Sequence, residues 1–329
     1  MSLPTFEFST TAEEATAALA SEIAGKNVLI TGTTMKGIGF EAARTIAKYA
    51  NLVVITGYNE TRLQLSKEAI EKENPTAVIR PLILDLSTDA SVRKSAAEVN
   101  AYLEPIHVLV NNAAYTDIVD KQTPDNLEVQ MATGHINPFL FTKLILSKLL
   151  ESTSGDWVPR VVFVSSSMHV LLNGAPTEKE ELARGKGGGD NDAARGFMRY
   201  GEVKSANALT ARELARKAGS KLRAFSLDPG AILTNLHQKP AVQPVLQTMG
   251  ILDAEGNPLA SQYTWKTLGQ GAATTVVAAF DPRINDYSGS YLADCVVADQ
   301  LVAPHSADDE RAAKLWNMTE GIIGETFEI

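Results

Sequence analysis

Six short apolar runs, each separated from the next by a helical pattern, constrain the fold of this chain more than any other feature. The runs cover residues 27–30, 52–55, 78–84, 108–110, 161–164 and 222–227. Short apolar runs between helices are typical of buried strands joined by right-handed crossovers, which make a parallel sheet. Because the runs are apolar almost throughout, both faces of the sheet should be covered. The sequence therefore predicts an α/β fold, a doubly wound parallel β-sheet flanked by helices.

A glycine-rich loop follows the first run directly, in the sequence Thr31-Gly-Thr-Thr-Met-Lys-Gly-Ile-Gly39. Behind it, Ile38, Ala42 and Ile46 recur at helical spacing on one face. Glycines permit a tight turn and a close approach of the backbone to a pyrophosphate, and a helix N-terminus offers free N–H groups to that anion. The order of strand, glycine loop and helix predicts a Rossmann-type nucleotide-binding domain.

Composition and length set limits on the function. The 329 residues contain no long linker or internal repeat, so we expect a single domain with insertions. Hydrophobic residues make up 44% of the chain, which is enough for a sizeable core. The net charge of −9 argues against nucleic acid or an anionic membrane as the main partner.

Several sequence features bear on location and metal binding. Cys295 is the only cysteine, so an internal disulfide is impossible and a reducing compartment is expected. The sequence has no apolar stretch long enough to span a bilayer and no signal-peptide pattern, which predicts a soluble, cytoplasmic protein. No histidines pair at the spacing of metal ligands, so we expect no metal.

Tyr200 and Lys204 lie in the run Tyr-Gly-Glu-Val-Lys, which opens an Ala-rich helical stretch. Residues four apart share a helix face, so the ammonium can approach the phenol. A nearby cation lowers the pKa of a tyrosine from its free value of about 10, which suits an acid/base group for a carbonyl or an alcohol. An amphipathic surface pair has the same spacing, so the motif alone leaves both interpretations open.

Motifs at successive strand ends carry a resemblance to a known family. They are the glycine loop, Asp85-Leu86, Asn111-Asn-Ala-Ala114, Val164-Ser-Ser166, Tyr200-Gly-Glu-Val-Lys204 and Asp228-Pro-Gly-Ala-Ile-Leu-Thr234, with Gln270-Gly-Ala-Ala, Gly289-Ser-Tyr-Leu and Lys314-Leu-Trp316 in the tail. From about Lys26 to the C-terminal helix, the chain resembles the short-chain dehydrogenase/reductase superfamily. It is most similar to the retinol-dehydrogenase-like branch and its fungal members.

The resemblance implies three catalytic residues. Tyr200 would give a proton to a carbonyl or take one from an alcohol, and Lys204 would bind the nicotinamide ribose and depress the pKa of Tyr200. Ser166 would hydrogen-bond the reacting oxygen. Its neighbours Ser165 and Ser167 are alternatives by register, and Ser165 is the less suitable one because adjacent strand residues point to opposite faces. A strand-end turn whose hydroxyls satisfy backbone groups would also explain the serines.

The resemblance also implies a cofactor site. Asp85 would contact the adenine and Leu86 would pack on it, while Asn112 and Ala113 would line the cofactor or simply terminate a strand. Pro229, Gly230, Ile232 and Thr234 would hold the nicotinamide carboxamide. The implied site is completed by Gly32, Thr34, Lys36, Gly37, Ile38, Gly39, Tyr58, Tyr200 and Lys204.

The choice of dinucleotide depends on the end of the second strand. An NAD site normally has a carboxylate there, and this sequence has Gly57. Lys36 precedes the second glycine of the loop, where NADP-using relatives often have a basic residue. No arginine follows Gly57, and Tyr58 could instead stack on the adenine. NADP(H) is favoured, with NAD(H) as the alternative.

The helical segment 133–142 departs from the family pattern. Aligned on Phe139 and Thr142, Gly134 occupies the position of the family's catalytic Asn, which holds a water of the proton relay. Glycine has no side chain for this task. A water or His135 could fill the space, whereas Asn137 lies almost a turn further on.

Two variable segments, 168–199 and 236–265, carry the substrate information, beside an N-terminal extension at 1–25. Ser166 and Tyr200 are 34 positions apart, and the insertion between them includes a Gly-rich stretch at 183–192. The second segment corresponds to a substrate lid in relatives and contains Val242, Val245, Leu246, Met249, Ile251 and Leu252. Such content predicts a hydrophobic pocket for a lipophilic substrate. A helix packed on the sheet edge or a subunit contact would explain it equally well.

The leading hypothesis is an NADP(H)-dependent carbonyl reductase or alcohol dehydrogenase that acts on a small lipophilic ketone, aldehyde or alcohol. A dinucleotide-binding regulatory or scaffold protein with weak turnover, and a reductase of an activated C=C bond, are the alternatives. Because many family members are dimers or tetramers, a homo-oligomer is possible.

Overall fold

A central sheet orders the chain, for which a computed structural model describes residues 3–115, 121–185, 193–234, 242–260 and 264–329. The strands are β1 (Asn27–Ile30), β2 (Leu52–Gly57), β3 (Ile79–Ile83), β4 (Val108–Asn111), β5 (Arg160–Val164), β6 (Arg223–Asp228), β7 (Ala231–Ile232), β8 (Trp265–Lys266), β9 (Tyr291–Ala293) and β10 (Val296–Val297). The α-helices before β5 are α1 (Ala12–Ala18), α2 (Ala20–Ile23), α3 (Ile38–Ile46), α4 (Glu60–Glu73), α5 (Asp89–Asn100), α6 (Val129–Met131), α7 (Asn137–Leu144) and α8 (Leu146–Leu150). Those after it are α9 (Lys179–Arg184), α10 (Ala193–Ala218), α11 (Gln243–Thr248), α12 (Leu268–Phe280) and α13 (Asp309–Ile323).

The strand order confirms the predicted fold class. Eight of the described strands form one sheet in the order β10-β9-β6-β5-β4-β1-β2-β3, and β7 and β8 pair separately. All neighbours in the large sheet run parallel except β9 and β10. The chain crosses from one half of the sheet to the other between β3 and β4, on either side of β1. Ligands of open α/β sheets bind at such a switch point.

The six predicted strands are all present, as β1 to β6, whereas β9 and β10 were not predicted. These two strands contain three and two residues, too few for a recognisable period. The expectation of a parallel sheet is therefore wrong at one edge, where β10 turns back on β9.

Side chains alternate between the two faces of the sheet. Val28 and Ile30 of β1 belong to a core with α1, α3 and α12 on one face, and Leu29 belongs to a second core on the other. The second core includes Phe139 of α7 and Leu214 of α10. Both faces are thus covered, which explains why the predicted strands are apolar throughout.

Helix α10 begins earlier than the sequence predicts. It starts at Ala193, seven residues before Tyr200, so the Tyr-Gly-Glu-Val-Lys run lies within the helix and does not open it. The helix packs against β6 and α13. Tyr200 is therefore held by helix on both sides of it along the chain.

A π-helical turn at Ala132–Ile136 precedes α7. Pro138 has no amide hydrogen to donate to the preceding turn. The N–H of Asn137 donates to the carbonyl of Ala132, five residues back. Such wide turns occur frequently at functional sites, and this one contains Gly134.

The N-terminal extension is part of the folded structure. Helix α1 packs against α12 and α3, and Thr11 and Glu14 form a capping box at its start. Among the described residues, no helix is both long and apolar enough to cross a bilayer.

Candidate active site

Most of the predicted site residues directly follow β1 to β6, at the carboxyl edge of the sheet, whereas Tyr200 and Lys204 lie within α10. Because these strands are parallel, their carboxyl ends meet at one edge. The topology therefore brings together the residues that the sequence places at six separate strand ends.

The glycine loop and the loop after β4 interlock. Asn112 donates from Nδ2 to the carbonyls of Thr31 (2.8 Å) and Gly32 (3.0 Å), and Thr31 Oγ1 accepts from the backbone N–H groups of Asn112 and Ala113. A Cβ at Gly39 would lie 2.4 Å from Asn112 Nδ2, and one at Gly32 would lie 2.8 Å from Ala113 Cα. The glycines thus permit close packing of two loops, and the Asn112 amide serves the strand-end turn.

The N-terminus of α3 offers backbone groups to a ligand. Gly37 is its N-cap residue and accordingly provides no side-chain cap. Thr34 and Lys36 are exposed at the loop tip, and Lys36 has a left-handed backbone with φ of 63°. Ile38 is half-buried in the first turn. Free N–H groups and a lysine at one end of a helix suit a phosphate.

The end of β2 has room beside Gly57. A Cβ built there would have its first neighbour, Leu63 Cδ1, at an ordinary 3.8 Å. Tyr58 follows and is 67% exposed, so its ring is accessible to a planar ligand. The strand end therefore has no acidic side chain and could accommodate one.

Asp85 and Leu86 differ in their availability. Asp85 Oδ1 accepts the N–H of Ser87 at 2.9 Å. Leu86 is only 6% exposed, because its side chain packs into the core with Leu84 and Val92. Most of the Leu86 side chain therefore contributes to the core, and its contact with an adenine ring stays a prediction.

The structure distinguishes the three serines after β5. Ser165 is buried and donates from Oγ to the carbonyl of Lys204 at 2.7 Å, whereas Ser167 is exposed. Ser166 is half-buried and its hydroxyl interacts with Tyr200. It also accepts the N–H of Met168 at 3.2 Å, so the expected strand-end turn and the placement beside Tyr200 occur together.

Lys204 is 2% exposed, and its Nζ lies 5.1 Å from the centroid of the Tyr200 ring. The ammonium donates to the carbonyl of Val164 at 2.7 Å. Burial lowers the pKa of Lys204 to about 8, and the Asp228 carboxylate opposes that shift. The two residues are adjacent, as the helical spacing predicts.

The pKa of Tyr200 shifts in the opposite direction to the prediction. Part of Tyr200 reaches the surface, but burial of its hydroxyl raises the pKa. The Asp228 carboxylate raises it further, and the interaction with Ser166 lowers it. Burial and the Asp228 carboxylate thus dominate the environment of the phenol in this structure, and the depression by Lys204 that the resemblance implies stays a prediction.

Sequence reasoning assigned no role to Asp228 or Tyr291, which the structure places beside the site. Asp228 ends β6 and accepts the N–H of Gly230 at 3.0 Å through Oδ1. The hydroxyl of Tyr291 lies 3.4 Å from Nδ1 of His169, which is 2.8 Å from the carbonyl of Ser166. The sequence signal that could have identified Asp228 was its position at a strand end, in the same motif as Pro229.

The expected carboxamide loop is held by a two-stranded ribbon. Ala231 and Ile232 of β7 pair with β8, and Gly230 has a positive φ of 87°. The stem of Lys266 packs against Gly230, and its Nζ lies 2.6 Å from Asp294 Oδ1. Pro229 is buried and Thr234 is half-buried.

The space beside Gly134 is occupied by Val203. A Cβ at Gly134 would lie 2.4 Å from Val203 Cγ1. Nε2 of His135 is 2.9 Å from Thr319 Oγ1, and Nδ2 of Asn137 donates to the carbonyl of Leu86 at 2.7 Å. Both side chains therefore have hydrogen-bond partners of their own, and what takes the place of the missing Asn stays open to test.

The two variable segments meet in a small apolar cluster. Phe197 of α10 packs with Val242, Leu246 and Leu252, and Met168 borders them. Met249 is largely exposed. Of the predicted segments, residues 186–192, 236–241 and 261–263 lie outside the described chain. Val242, Leu246 and Leu252 of the second segment thus lie against Phe197, in the helix that carries Tyr200.

Comparison with known proteins decides the family. The short chain dehydrogenase model matches residues 26–174. Short-chain dehydrogenase TIC 32 A, chloroplastic, from Brassica napus is 33% identical over 299 residues, which cover 90% of this chain and 88% of that protein. The chain belongs to the short-chain dehydrogenase/reductase family. It is retinol-dehydrogenase-like: retinol dehydrogenase 12 from Mus musculus is 28% identical, with coverage of 93% and 89%.

Two further comparisons, one of sequence and one of fold, agree with this assignment. Short-chain dehydrogenase/reductase prx1 from Penicillium rubens is 31% identical over 308 residues, which cover 89% of this chain and 84% of that protein. A solved structure from Mycobacterium paratuberculosis, of a putative uncharacterized protein, superposes with a TM-score of 0.66 at 23% identity, covering 94% of this chain and 98% of that one. This short-chain dehydrogenase/reductase is accordingly an oxidoreductase that uses a nicotinamide dinucleotide.

Proposed function

We propose that this short-chain dehydrogenase/reductase is an NADP(H)-dependent enzyme that interconverts a lipophilic ketone or aldehyde and the corresponding alcohol. The observation that carries the proposal is the convergence of Ser166, Tyr200 and Lys204 at one strand end. The Tyr200 ring lies 5.1 Å from the Lys204 ammonium, and its hydroxyl interacts with Ser166. These groups suit chemistry at an oxygen centre.

The residues would divide the reaction between them. A bound nicotinamide supplies or accepts the hydride. Because burial raises the pKa of Tyr200, the phenol stays protonated at neutral pH and can give its proton to a carbonyl oxygen. Ser166 would donate a hydrogen bond to that oxygen as charge develops, and the Lys204 ammonium would stabilise the phenolate that forms.

The residues at the ends of β1 and β2 support NADP(H) over NAD(H). Gly57 leaves room for a 2′-phosphate, and Lys36 is exposed at the tip of the glycine loop. The backbone at the start of α3 would receive the pyrophosphate, and Tyr58 would stack on the adenine. A neighbour of similar fold, a putative short chain dehydrogenase from Escherichia coli, was solved with NADPH and is 21% identical, with a TM-score of 0.60, covering 83% of this chain and 98% of that one.

The lipophilic substrate is inferred from the second variable segment. Val242, Leu246 and Leu252 bury their side chains against Phe197, three residues before Tyr200. We propose that 168–199 and 236–265 form the substrate side of a single domain spanning 1–329. A single cysteine fits a reducing compartment, so we keep a cytoplasmic enzyme as our proposal, and a homo-oligomer is our expectation from the family alone.

The decisive experiment begins with calorimetric titration of NADPH and NADH. Loss of nicotinamide absorbance is then followed with decanal and 2-decanone, in the wild type and in Tyr200→Phe. We expect tighter binding of NADPH, turnover of at least one carbonyl, and a loss of kcat of about a hundredfold or more in Tyr200→Phe, the scale of a general acid. Full turnover by Tyr200→Phe would refute the role of Tyr200.

A second candidate is a dinucleotide-binding regulatory protein with weak turnover. The observation that favours it is Val203, which fills the space where the family's relay Asn would lie. Tight NADPH binding without reduction of any carbonyl would favour this candidate.

Reduction of an activated C=C bond is tested separately. Analysis of the product from trans-2-decenal separates carbonyl reduction from reduction of the C=C bond.

A further inference from the structure

A buried ion-pair network lies immediately before Tyr200 in α10. Arg199 is 8% exposed, and its carboxylate partners Glu128 and Glu202 are 4% and 8% exposed. Arg199 Nε is 2.8 Å from Glu128 Oε2, and Nη1 is 2.7 Å from Glu202 Oε2. Its Nη2 donates to the carbonyl of Leu182 at 3.0 Å. One guanidinium thus binds two carboxylates and a backbone carbonyl inside the protein.

The network joins three segments that are distant in sequence. Glu128 accepts the N–H groups of Gln130 (2.9 Å) and Met131 (2.8 Å) at the start of α6, and its own N–H donates to the carbonyl of Ala183 at 2.8 Å. Leu182 belongs to α9, in the insertion after Ser166. Through Arg199, both α6 and α9 are tied to the turn of α10 that carries Tyr200.

Apolar contacts hold the same turn from another side. Phe197 packs with Val242 and Leu246 of the second variable segment, whereas Ser166 is positioned separately by β5 and by His169. A shift of the α10 turn would therefore move the Tyr200 phenol relative to Ser166. Misplacement of a reacting group by about 1 Å can cost about a hundredfold in rate.

We propose that Arg199 is a positioning residue that fixes the Tyr200 phenol against Ser166, with Glu128 and Glu202 as its anchors. The proposal rests on the proposed function of Tyr200. Burying three ionised groups gives a fold little net stability compared with apolar packing. The network instead fixes the orientation of the α10 turn, because the N–H donors of a guanidinium have a fixed geometry.

The test compares Arg199→Met with Arg199→Lys, and Arg216→Met serves as the matched control. Arg216 lies on the same helix and also pairs with a glutamate three residues away, but its side chain is 59% exposed and remote in sequence from Tyr200. NADPH affinity is measured by calorimetry, and kcat and KM with decanal are expressed per NADPH-binding site. For Arg199→Met we expect kcat to fall about tenfold or more, with changes under about twofold in NADPH Kd and in KM. Arg199→Lys should recover part of kcat, and Arg216→Met should match the wild type.

Two results would overturn the proposal. The first is an unchanged kcat in Arg199→Met. The second is a rise in the NADPH Kd and in KM with an unchanged kcat per site, which would indicate a merely structural role for Arg199. If Arg199→Met does not fold, Glu202→Gln leaves Arg199 paired with Glu128 and should show a smaller loss of kcat.

A fluorine NMR measurement keeps the test independent of turnover. With a 3-fluorotyrosine label at Tyr200, the resonance should shift in Arg199→Met and stay fixed in Arg216→Met; an unshifted resonance in both would refute the positioning role. If Tyr200→Phe is fully active while the label shifts, the proposed function fails and the positioning contact stands.

Discussion

At the scale of single residues, sequence motifs locate the groups of the site but do not give their burial or their charged neighbours. The motifs place Ser166, Tyr200 and Lys204 at strand and helix positions that the structure brings together. They do not reveal that burial and Asp228 together raise the pKa of Tyr200. Burial is a property of the packed chain, so its effect on a titrating group becomes visible only in three dimensions.

Gly57 determines the choice of dinucleotide in our proposal, and Gly57→Asp tests it. The added carboxylate has space beside Leu63 and would repel a 2′-phosphate while accepting hydrogen bonds from a ribose. We expect the Kd of NADPH to rise about tenfold or more and that of NADH to fall, which calorimetry measures.

Lys36→Ala is the companion variant for the same site. Lys36→Ala should raise the Kd of NADPH and leave the Kd of NADH unchanged, because it removes a cation without adding a carboxylate. An unaltered preference in both variants would contradict the assignment of the 2′-phosphate.

Lys204 predicts a pH dependence of cofactor binding. Burial lowers the pKa of its ammonium to about 8, so the positive charge is present below that pH and is lost above it. We expect the Kd of NADPH to rise as the pH passes from 7 to 9. In Lys204→Met the Kd should be higher and nearly flat over the same range; a wild-type Kd that does not change would refute the role of the charge.

At the scale of the elements, the sequence predicted the long, periodic ones well. The six strands β1 to β6 and the pattern of Ile38, Ala42 and Ile46 in α3 follow from local apolar spacing. The start of α10 was missed because residues before Tyr200 have no apolar period that distinguishes a helix from the insertion. The short β9 exists through pairing with β6, and β10 through pairing with β9, which are tertiary effects.

The π-helical turn connects to the C-terminal helix through His135. Nε2 of His135 is 2.9 Å from Thr319 Oγ1 of α13, and Nδ1 is 3.4 Å from Thr210 Oγ1 of α10. Burial lowers the pKa of His135 to about 3. The His135 imidazole is therefore neutral in the folded protein at neutral pH.

This buried histidine predicts acid sensitivity of the fold. Because the folded pKa lies below the unfolded value of about 6.5, the unfolded chain binds the proton first. The free energy of unfolding should fall by about 1.4 kcal/mol per pH unit from this residue as the pH drops from about 6 towards 3. Urea denaturation at several pH values measures the slope.

His135→Gln should be less stable at pH 7 and show a shallower slope. A slope in His135→Gln equal to that of the wild type would contradict the assignment to His135.

At the scale of the whole molecule, the N-terminal extension belongs to the domain core. The sequence treats 1–25 as an extension, yet Leu19 and Ile23 are fully buried in the core with α3 and α12. The capping box of Thr11 and Glu14 was a readable signal for α1. That α1 packs on α12, which lies about 250 positions later in the sequence, could not be derived from local pattern.

Leu19→Ala tests how much the extension contributes to stability. Removal of a fully buried leucine side chain should lower the free energy of unfolding by about 2–5 kcal/mol. Leu103→Ala is the matched control, because Leu103 is 98% exposed and its loss should change stability by less than about 0.5 kcal/mol. Equal stability of the two variants in urea would mean that the extension is not part of the cooperative unit.

The contact between Gly134 and Val203 also restricts the history open to this protein. With Val203 in place, an asparagine at 134 has its Cβ 2.4 Å from a methyl carbon, so that substitution is disfavoured while the valine remains. A smaller residue at 203 must come first, and it leaves a void that costs about 1 kcal/mol until position 134 fills it. In the reverse direction, the asparagine must be lost before the valine arrives. Substitutions at positions 134 and 203 therefore have a preferred order in evolution. The packing of one methyl group would keep both the glycine–valine pair and the alternative pair in place.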